Sequence, residues 1–490
     1  MKKQYILSID QSTQGTKGLL FDCEGRLLCR SDLPHRQIVD EHGWVSHDPE
    51  EIYQNLLQCV RNVVHQAGIS PEALACVGLS NQRETALAWE RGSGRPVCDA
   101  VVWQCSRSSE ICERLAAQGH GDWIRQRTGI PLSPYYPATK LLWILENIPG
   151  ARKLADAHEL CMGTVDTWLI YKLTGAYKTD YSNASRTQLF DIVNLRWDAE
   201  LCSLLDIHPD DLAEVCDSDS VFGMTDFDGF LKEPIPVCGV LGDSHGALFG
   251  QGCLERGGLK VTYGTGSSVM LNIGEKPVFS THGAATSLAW RWRGKTQYVM
   301  EGNINYTGAV VNWMQEIGLV SSAKETQALA EQANPEDTTY LIPAFTGLGA
   351  PHWDSSAQAM LYGMTRQTGR AELVKAGVEC IAYQIADVLH AIEQDFGEPV
   401  RKLNADGGAT KNTYLMQFQS DLMNAAVDVP EAEELSGIGA AYMAGLSCGI
   451  YNDSVFSQLR RAAFTPQMPE AQRQQRYRGW CSAIGKVMHH

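Results

Sequence analysis

The chain predicts a mixed α/β protein built as two halves that open alike. Three observations carry this reading. Near the start, Tyr5 to Ile9, Lys17 to Phe21 and Arg26 to Cys29 alternate as a meander of strands whose first turn, Gln11 to Thr16, is rich in small hydroxylated residues. Later, Leu259 to Tyr263 runs as a strand into Gly264-Thr265-Gly266-Ser267-Ser268, so the strand–hydroxyl turn–strand opening occurs twice. Between them lies a glycine-rich stretch, residues 248–258, whose backbone freedom suits a hinge. The two domains are accordingly assigned to residues 1–250 and 251–490.

After the first meander, Asp48-Pro49-Glu50-Glu51 supplies an N-cap, a proline at the first helical position and a capping-box glutamate. Apolar Ile52, Leu56, Leu57, Val60 and Val64 then recur at helical spacing. Leu74 to Leu79 and Val101 to Trp103 read as further strands. Gly294-Lys295-Thr296 lacks the upstream glycine of a phosphate-binding loop, because Ala289 stands there, and its alternating flanks make it a hairpin turn. Gly437 to Tyr451 is small and apolar, a packed helix rather than a membrane span.

A net charge of −16 argues against nucleic-acid or anionic-membrane partners, so any bound phosphate must be held by local donors. The 15 cysteines show no C-x-x-C pair and no zinc spacing, which fits reduced thiols in the cytoplasm. Lys2 and Lys3 precede an apolar run too short for a signal-peptide core. A homo-oligomer, dimer or tetramer, is compatible with the sequence.

Asp243 follows the apolar run Pro236 to Leu241 and Gly242, at an expected strand-to-helix edge. A carboxylate there either caps the helix or receives a hydroxyl proton during phosphoryl transfer. Asp10-Gln11-Ser12-Thr13-Gln14-Gly15-Thr16-Lys17 combines turn amides, hydroxyls, a lysine and an aspartate able to hold hydrated Mg²⁺, which is what a polyphosphate requires. Gly264 to Ser268 is its counterpart, and Asp406-Gly407-Gly408 a third turn where a flat ring could approach the backbone. Arg83 and Glu84 could donate to and accept from adjacent polyol hydroxyls, or form a surface ion pair. Trp103 and Tyr135 offer an apolar wall or ordinary core aromatics.

In combination these segments resemble the FGGY carbohydrate kinases, particularly their glycerol kinase branch. The resemblance rests on Asp10-Gln-Ser-Thr, Gly43 to Glu51, Asn81-Gln-Arg-Glu-Thr, Val102-Trp-Gln-Cys, Asp180 to Arg186, Tyr135 to Asn147, and the stretch from Ala359 to Glu379. It implies two actin-like, ribonuclease-H-type domains closing over ATP, Mg²⁺ and a small sugar or polyol. By motif, Asp243 falls on the catalytic base, and Arg83, Glu84, Trp103 and Tyr135 on the substrate pocket. Thr13, Lys17, Thr265, Gly308, Gly408 and Asn412 fall on the nucleotide site, where Gln14, Gly15 and Asn312 replace the residues usual for the branch. Asp10, through water, and Asp243 are the expected metal ligands. Ser244 and Ser268 stand where glycerol kinases carry glutamine and phenylalanine, which predicts a roomier pocket for a polyol or ketose larger than glycerol. Glycerol kinase proper is the alternative, and an actin- or chaperone-like ATPase the rival of another class.

Overall fold

The computed structural model describes residues 4–488, so Lys2 and Lys3 lie outside it. Strand Tyr5–Gln11 is the axis of a six-stranded sheet ordered Val221–Thr225, Ile235–Gly242, Leu74–Asn81, Tyr5–Gln11, Gly15–Phe21, Leu27–Pro34. Tyr5–Gln11 runs antiparallel to the following strand and parallel to Leu74–Asn81. Ile6, Leu7 and Ile9 are all fully buried, so both faces are covered, as expected of a sheet with parallel strands. The first turn is shorter than predicted. Gly15 and Thr16 pair with Pro34 and Leu33, and a Cβ at Gly15 would lie 2.6 Å from the Leu33 carbonyl, so only Ser12 to Gln14 remain outside the strands.

Helix Pro49–Ala67 packs its Ile52, Leu56, Val60 and Val64 stripe against one face of this sheet. Asp48 caps it by accepting from the Glu50 and Glu51 amides. Glu51 does not close the expected capping box; its carboxylate accepts from the Arg36 amide at 3.2 Å.

The second sheet has seven strands, ordered Ala285–Trp292, Lys295–Ile304, Ser267–Gly274, Leu259–Tyr263, Lys402–Asp406, Ala426–Pro430, Arg461–Phe464. Its central strand, Leu259–Tyr263, is antiparallel to the next in sequence and parallel to Lys402–Asp406, repeating the pattern of the first sheet. This is the duplicated ribonuclease-H-type, actin-like arrangement. The hairpin expected at Gly294 is present, with Arg293 and Gly294 between its strands.

Helix Leu435–Ser447 comes late in the chain yet packs on the first sheet, where Ser8 Oγ donates to the Gly437 carbonyl at 2.7 Å. It crosses helix Asp243–Gly250 through glycines, because a Cβ on Gly439 would sit 1.8 Å from the Gly246 carbonyl oxygen. A smaller five-stranded sheet carries the segment with Trp103. Its strand stops at Val101 instead of running to Trp103, whose amide donates to Thr85 Oγ1 at 3.2 Å. Among the described residues, no helix is long and apolar enough to cross a membrane.

Candidate active site

Asp243 sits where strand Ile235–Gly242 hands over to helix Asp243–Gly250. The cap position is taken by Gly242, and Asp243 is the first helical residue. A Cβ on Gly242 would lie 2.7 Å from Arg83 Cγ and Cδ, so glycine there lets the Arg83 stem pass beneath the carboxylate. Asp243 Oδ1 lies 3.1 Å from Arg83 Nε and accepts from the Ser244 amide at 2.6 Å. Both contacts fall on one oxygen. The side chain is 36% exposed, and it borders a cavity of about 950 Å³ between the two halves.

Arg83 and Glu84 are buried, not a surface pair. Arg83 donates to both oxygens of Glu301, Nη1 at 3.0 Å and Nη2 at 2.8 Å. Arg186 pairs with Glu301 at 2.8 Å and with Glu84 at 2.5 Å. Burial alone would raise the Glu301 carboxyl, but Arg186 and Arg83 reverse this and hold it well below the carboxylate range. Two guanidinium and two carboxylate groups thus neutralise one another under the cavity floor. A bidentate fork of this kind fixes the Arg83 plane and hence the oxygen of Asp243 it touches.

Trp103 and Tyr135 face each other with ring centroids 5.4 Å apart and line the same cavity. Lys140, fully buried in helix Pro137–Asn147, donates to the carbonyls of Glu84, Trp103 and Tyr135. Burial pulls its pKa down to about 7, against the pull of Glu84. One ammonium therefore joins three segments of the expected substrate wall. Lys140, Arg186 and Glu301 were not assigned roles from sequence. The available signal was a charged residue inside an apolar stretch, as in Tyr298-Val299-Met300-Glu301.

Thr13, Gln14, Lys17, Thr265, Ser244 and Ser268 also line the cavity. Two of them have partners that the sequence did not suggest. Thr13 Oγ1 accepts from Trp103 Nε1 at 2.9 Å, and Lys17 Nζ donates to Glu434 at 2.6 Å. Gly308, Asn312, Gly408 and Asn412 do not line it. Two of these positions nevertheless gather around the end of strand Leu259–Tyr263: the Gly308 amide donates to the Gly264 carbonyl at 3.0 Å, and Gly407, next to Gly408, presses on Tyr263. Asn412 caps helix Thr413–Met423 by accepting from the Leu415 amide. Asn312 lies within helix Gly308–Glu316.

Ser268 borders the cavity, and its Oγ lies 3.5 Å from both Lys260 Nζ and Glu301 Oε1.

Asp10 is buried beside the turn, with Lys17 Nζ 4.0 Å away. Its Oδ1 has no well-formed hydrogen bond, although the Ser80 hydroxyl is near. Burial raises its pKa to about 6, Lys17 opposes this, and Asp243 adds to it. Two neighbouring carboxylates, one carrying an unsatisfied buried oxygen, are a donor set that suits a hard divalent cation.

A cleft between duplicated ribonuclease-H-type halves, with an aspartate at a helix start and a polar, aromatic-walled pocket, can hold a small alcohol beside a carboxylate able to take its proton, and the relatives of this chain make it an ATP-dependent phosphotransferase with an alcohol acceptor. The chain belongs to the FGGY family of carbohydrate kinases: the N-terminal domain model of that family matches residues 5–250 and the C-terminal domain model residues 259–448. It is 44% identical to glycerol kinase 1 of Thermotoga maritima, over 99% of each chain. It is 42% identical to the glycerol kinase of Oceanobacillus iheyensis, over 99% of this chain and 98% of the other. The crystal structure of Plasmodium falciparum glycerol kinase with ADP superposes with a TM-score of 0.95 at 35% identity, covering 100% of this chain and 99% of that one.

Proposed function

We propose that this carbohydrate kinase transfers the γ-phosphoryl group of ATP to a terminal hydroxyl of glycerol. The observation that carries this reading is full-length identity of 41–44% to proteins named glycerol kinase. It replaces the expectation of a larger polyol or ketose, which rested on smaller side chains at Ser244 and Ser268. Ser244 and Ser268 do line the cavity, but small side chains at two positions of a cleft that must also admit a nucleotide do not set the length of the acceptor. The substrate's carbon chain would lie against Trp103 and Tyr135, with Arg83 and Glu84 addressing its hydroxyls. Asp243 would orient the attacking hydroxyl and take its proton late in a loose transition state. Thr265, Gly308 and Gly408 would border the nucleotide, and closure of the halves would exclude water that could otherwise accept the phosphoryl group. Mg²⁺ would be held by Asp10, through water, and by Asp243; when bound it neutralises phosphate charge. Cytoplasmic residence suits a chain that uses ATP and carries many reduced thiols.

The substrate test is a comparison of kcat/KM for glycerol with four- to six-carbon polyols and ketoses. Glycerol should be preferred at least about tenfold, the scale of a misfitting carbon in a shaped pocket. A ketopentose or pentitol turned over more efficiently would restore the larger-substrate reading.

The raised pKa of Asp10 gives a pH prediction. Protonation below about pH 6 removes its charge, so the Mg²⁺ concentration for half-maximal rate should rise as pH falls through that value. For folding the sign is opposite: a carboxyl with a raised native pKa favours the fold at low pH and loses that contribution as pH rises through about 6. Rate measurements across pH 5–8 at several Mg²⁺ concentrations, with Asp10→Asn as control, check this; a Mg²⁺ requirement flat with pH in wild type would contradict it.

A further inference from the structure

Cys76, Cys238 and Cys448 lie far apart in sequence, but their sulfur atoms all fall within 4.8 Å of one another. Cys238 Sγ and Cys448 Sγ are 3.3 Å apart. Cys76 and Cys238 come from neighbouring parallel strands of the first sheet, and Cys448 ends helix Leu435–Ser447, which covers that sheet. A β-bulge lies beside them. Val237 pairs with Val77 and Val240 with Leu79, so one extra residue is accommodated around Gly239, whose φ of +77° suits glycine. Cys238 shares the face of Cys76, under the helix, by ordinary strand alternation from Val237, and the extra residue returns Val240 to the opposite core beside Val237. A Cβ at Gly239 would lie 2.5 Å from the Ala444 amide nitrogen, so the bulge also lets the helix come close enough to deliver Cys448.

We propose that these three thiols form a binding site for one soft, thiophilic metal ion of the cuprous class, remote from the phosphoryl-transfer cleft. Sulfur ligands select such ions over the hard cations that a kinase uses on its phosphates. Metal–sulfur bonds of about 2.3 Å in a trigonal set place the sulfurs roughly 4 Å apart, and the present cluster needs only small side-chain rotations to reach this. The buried pair Cys76 and Cys238 shields the ion, while exposed Cys448 provides the entry path. On binding, each cysteine gives up its thiol proton and donates a sulfur lone pair, with no change in oxidation state. The ion would tie the end of the covering helix to two strands of the sheet, one of which runs on to Asp243.

The test uses the full chain with the other exposed thiols, Cys23 and Cys481, replaced by serine. Cuprous ion is delivered to the reduced protein from a chromophoric chelator of known affinity under anaerobic conditions. One equivalent should transfer, with a thiolate-to-metal absorption band in the ultraviolet and an increase in melting temperature. Cys238→Ser and Cys448→Ser should each weaken binding on the order of 100-fold or more, while Cys380→Ser, at a buried thiol elsewhere, should leave it unchanged. Retention of the ion by the chelator would overturn the proposal, as would equal binding by the Cys238→Ser and Cys448→Ser proteins or equal uptake of Mg²⁺ at the same site.

Discussion

Asp243→Asn is expected to reduce kcat by 10²–10⁴-fold, the usual range for a positioned acid–base group, while leaving nucleotide affinity nearly unchanged. The isosteric amide can still meet the donors that touch Oδ1, the Ser244 amide and Arg83 Nε, so the helix start and Arg83 should keep their places. What disappears is the anionic acceptor for the hydroxyl proton. Because a carboxylate is a weak base, its contribution lies in orienting the hydroxyl and receiving the proton once bond cleavage to the leaving phosphate is advanced. Single-turnover rates and nucleotide titrations on the variant separate the two effects. A rate within tenfold of wild type would remove Asp243 from the chemistry, and a large loss of nucleotide affinity would show that it serves binding instead.

Glu301→Ala should be the most destabilising single change near the site, by about 3–5 kcal/mol. The glutamate is the common partner of Arg83 and Arg186, both nearly inaccessible to water, and its removal leaves two buried guanidinium groups sharing only Glu84 and the partly exposed Asp243. Glu301→Gln retains the shape and one acceptor, so it should fall between the two proteins. Since Arg83 also holds Asp243, kcat should fall in both variants even where they remain folded. A pH signature distinguishes the ion cluster from plain packing. The native pKa of Glu301 is depressed, so its stabilising contribution is fully present above the unfolded value of about 4.3 and declines as pH falls below it. Denaturant midpoints should therefore drop more steeply below pH 4.3 for wild type than for Glu301→Gln. Parallel pH profiles, or a Glu301→Ala midpoint equal to wild type, would show that the cluster carries no such energy.

Much of the architecture is legible in the sequence. Periodicity identified the helix from Pro49, and turn chemistry identified the hairpin at Gly294, because both depend on residues adjacent in the chain. The strand–turn–strand opening recurs at Tyr5 and at Leu259 for the same reason. Element ends were less legible. The strand beginning at Gly15 starts earlier than its own residues suggest, since its pairing with Leu33 and Pro34 outweighs the turn preference of Gly15-Thr16.

For the site, sequence alone selected Asp243, Arg83, Glu84, Trp103 and Tyr135, which meet in one cavity, because each carries its chemistry in a short run with recognisable neighbours. It was silent on Glu301, Arg186 and Lys140, which matter through one another and sit on three separate elements. Nor does the sequence show what surrounds Ser268, whose Oγ lies 3.5 Å from Lys260 Nζ and Glu301 Oε1. Cysteine spacing likewise excluded clusters between near neighbours only, whereas two neighbouring strands and a helix let close by Gly239 bring Cys76, Cys238 and Cys448 together. Local propensity and motif depend on interactions within a few residues, so the sequence by itself determined the elements, the duplicated halves and the position of Asp243 at a strand-to-helix edge. Charge pairing, pocket volume and the thiol cluster depend on groups hundreds of residues apart, and only the packing of the two sheets around the helix crossing decided them.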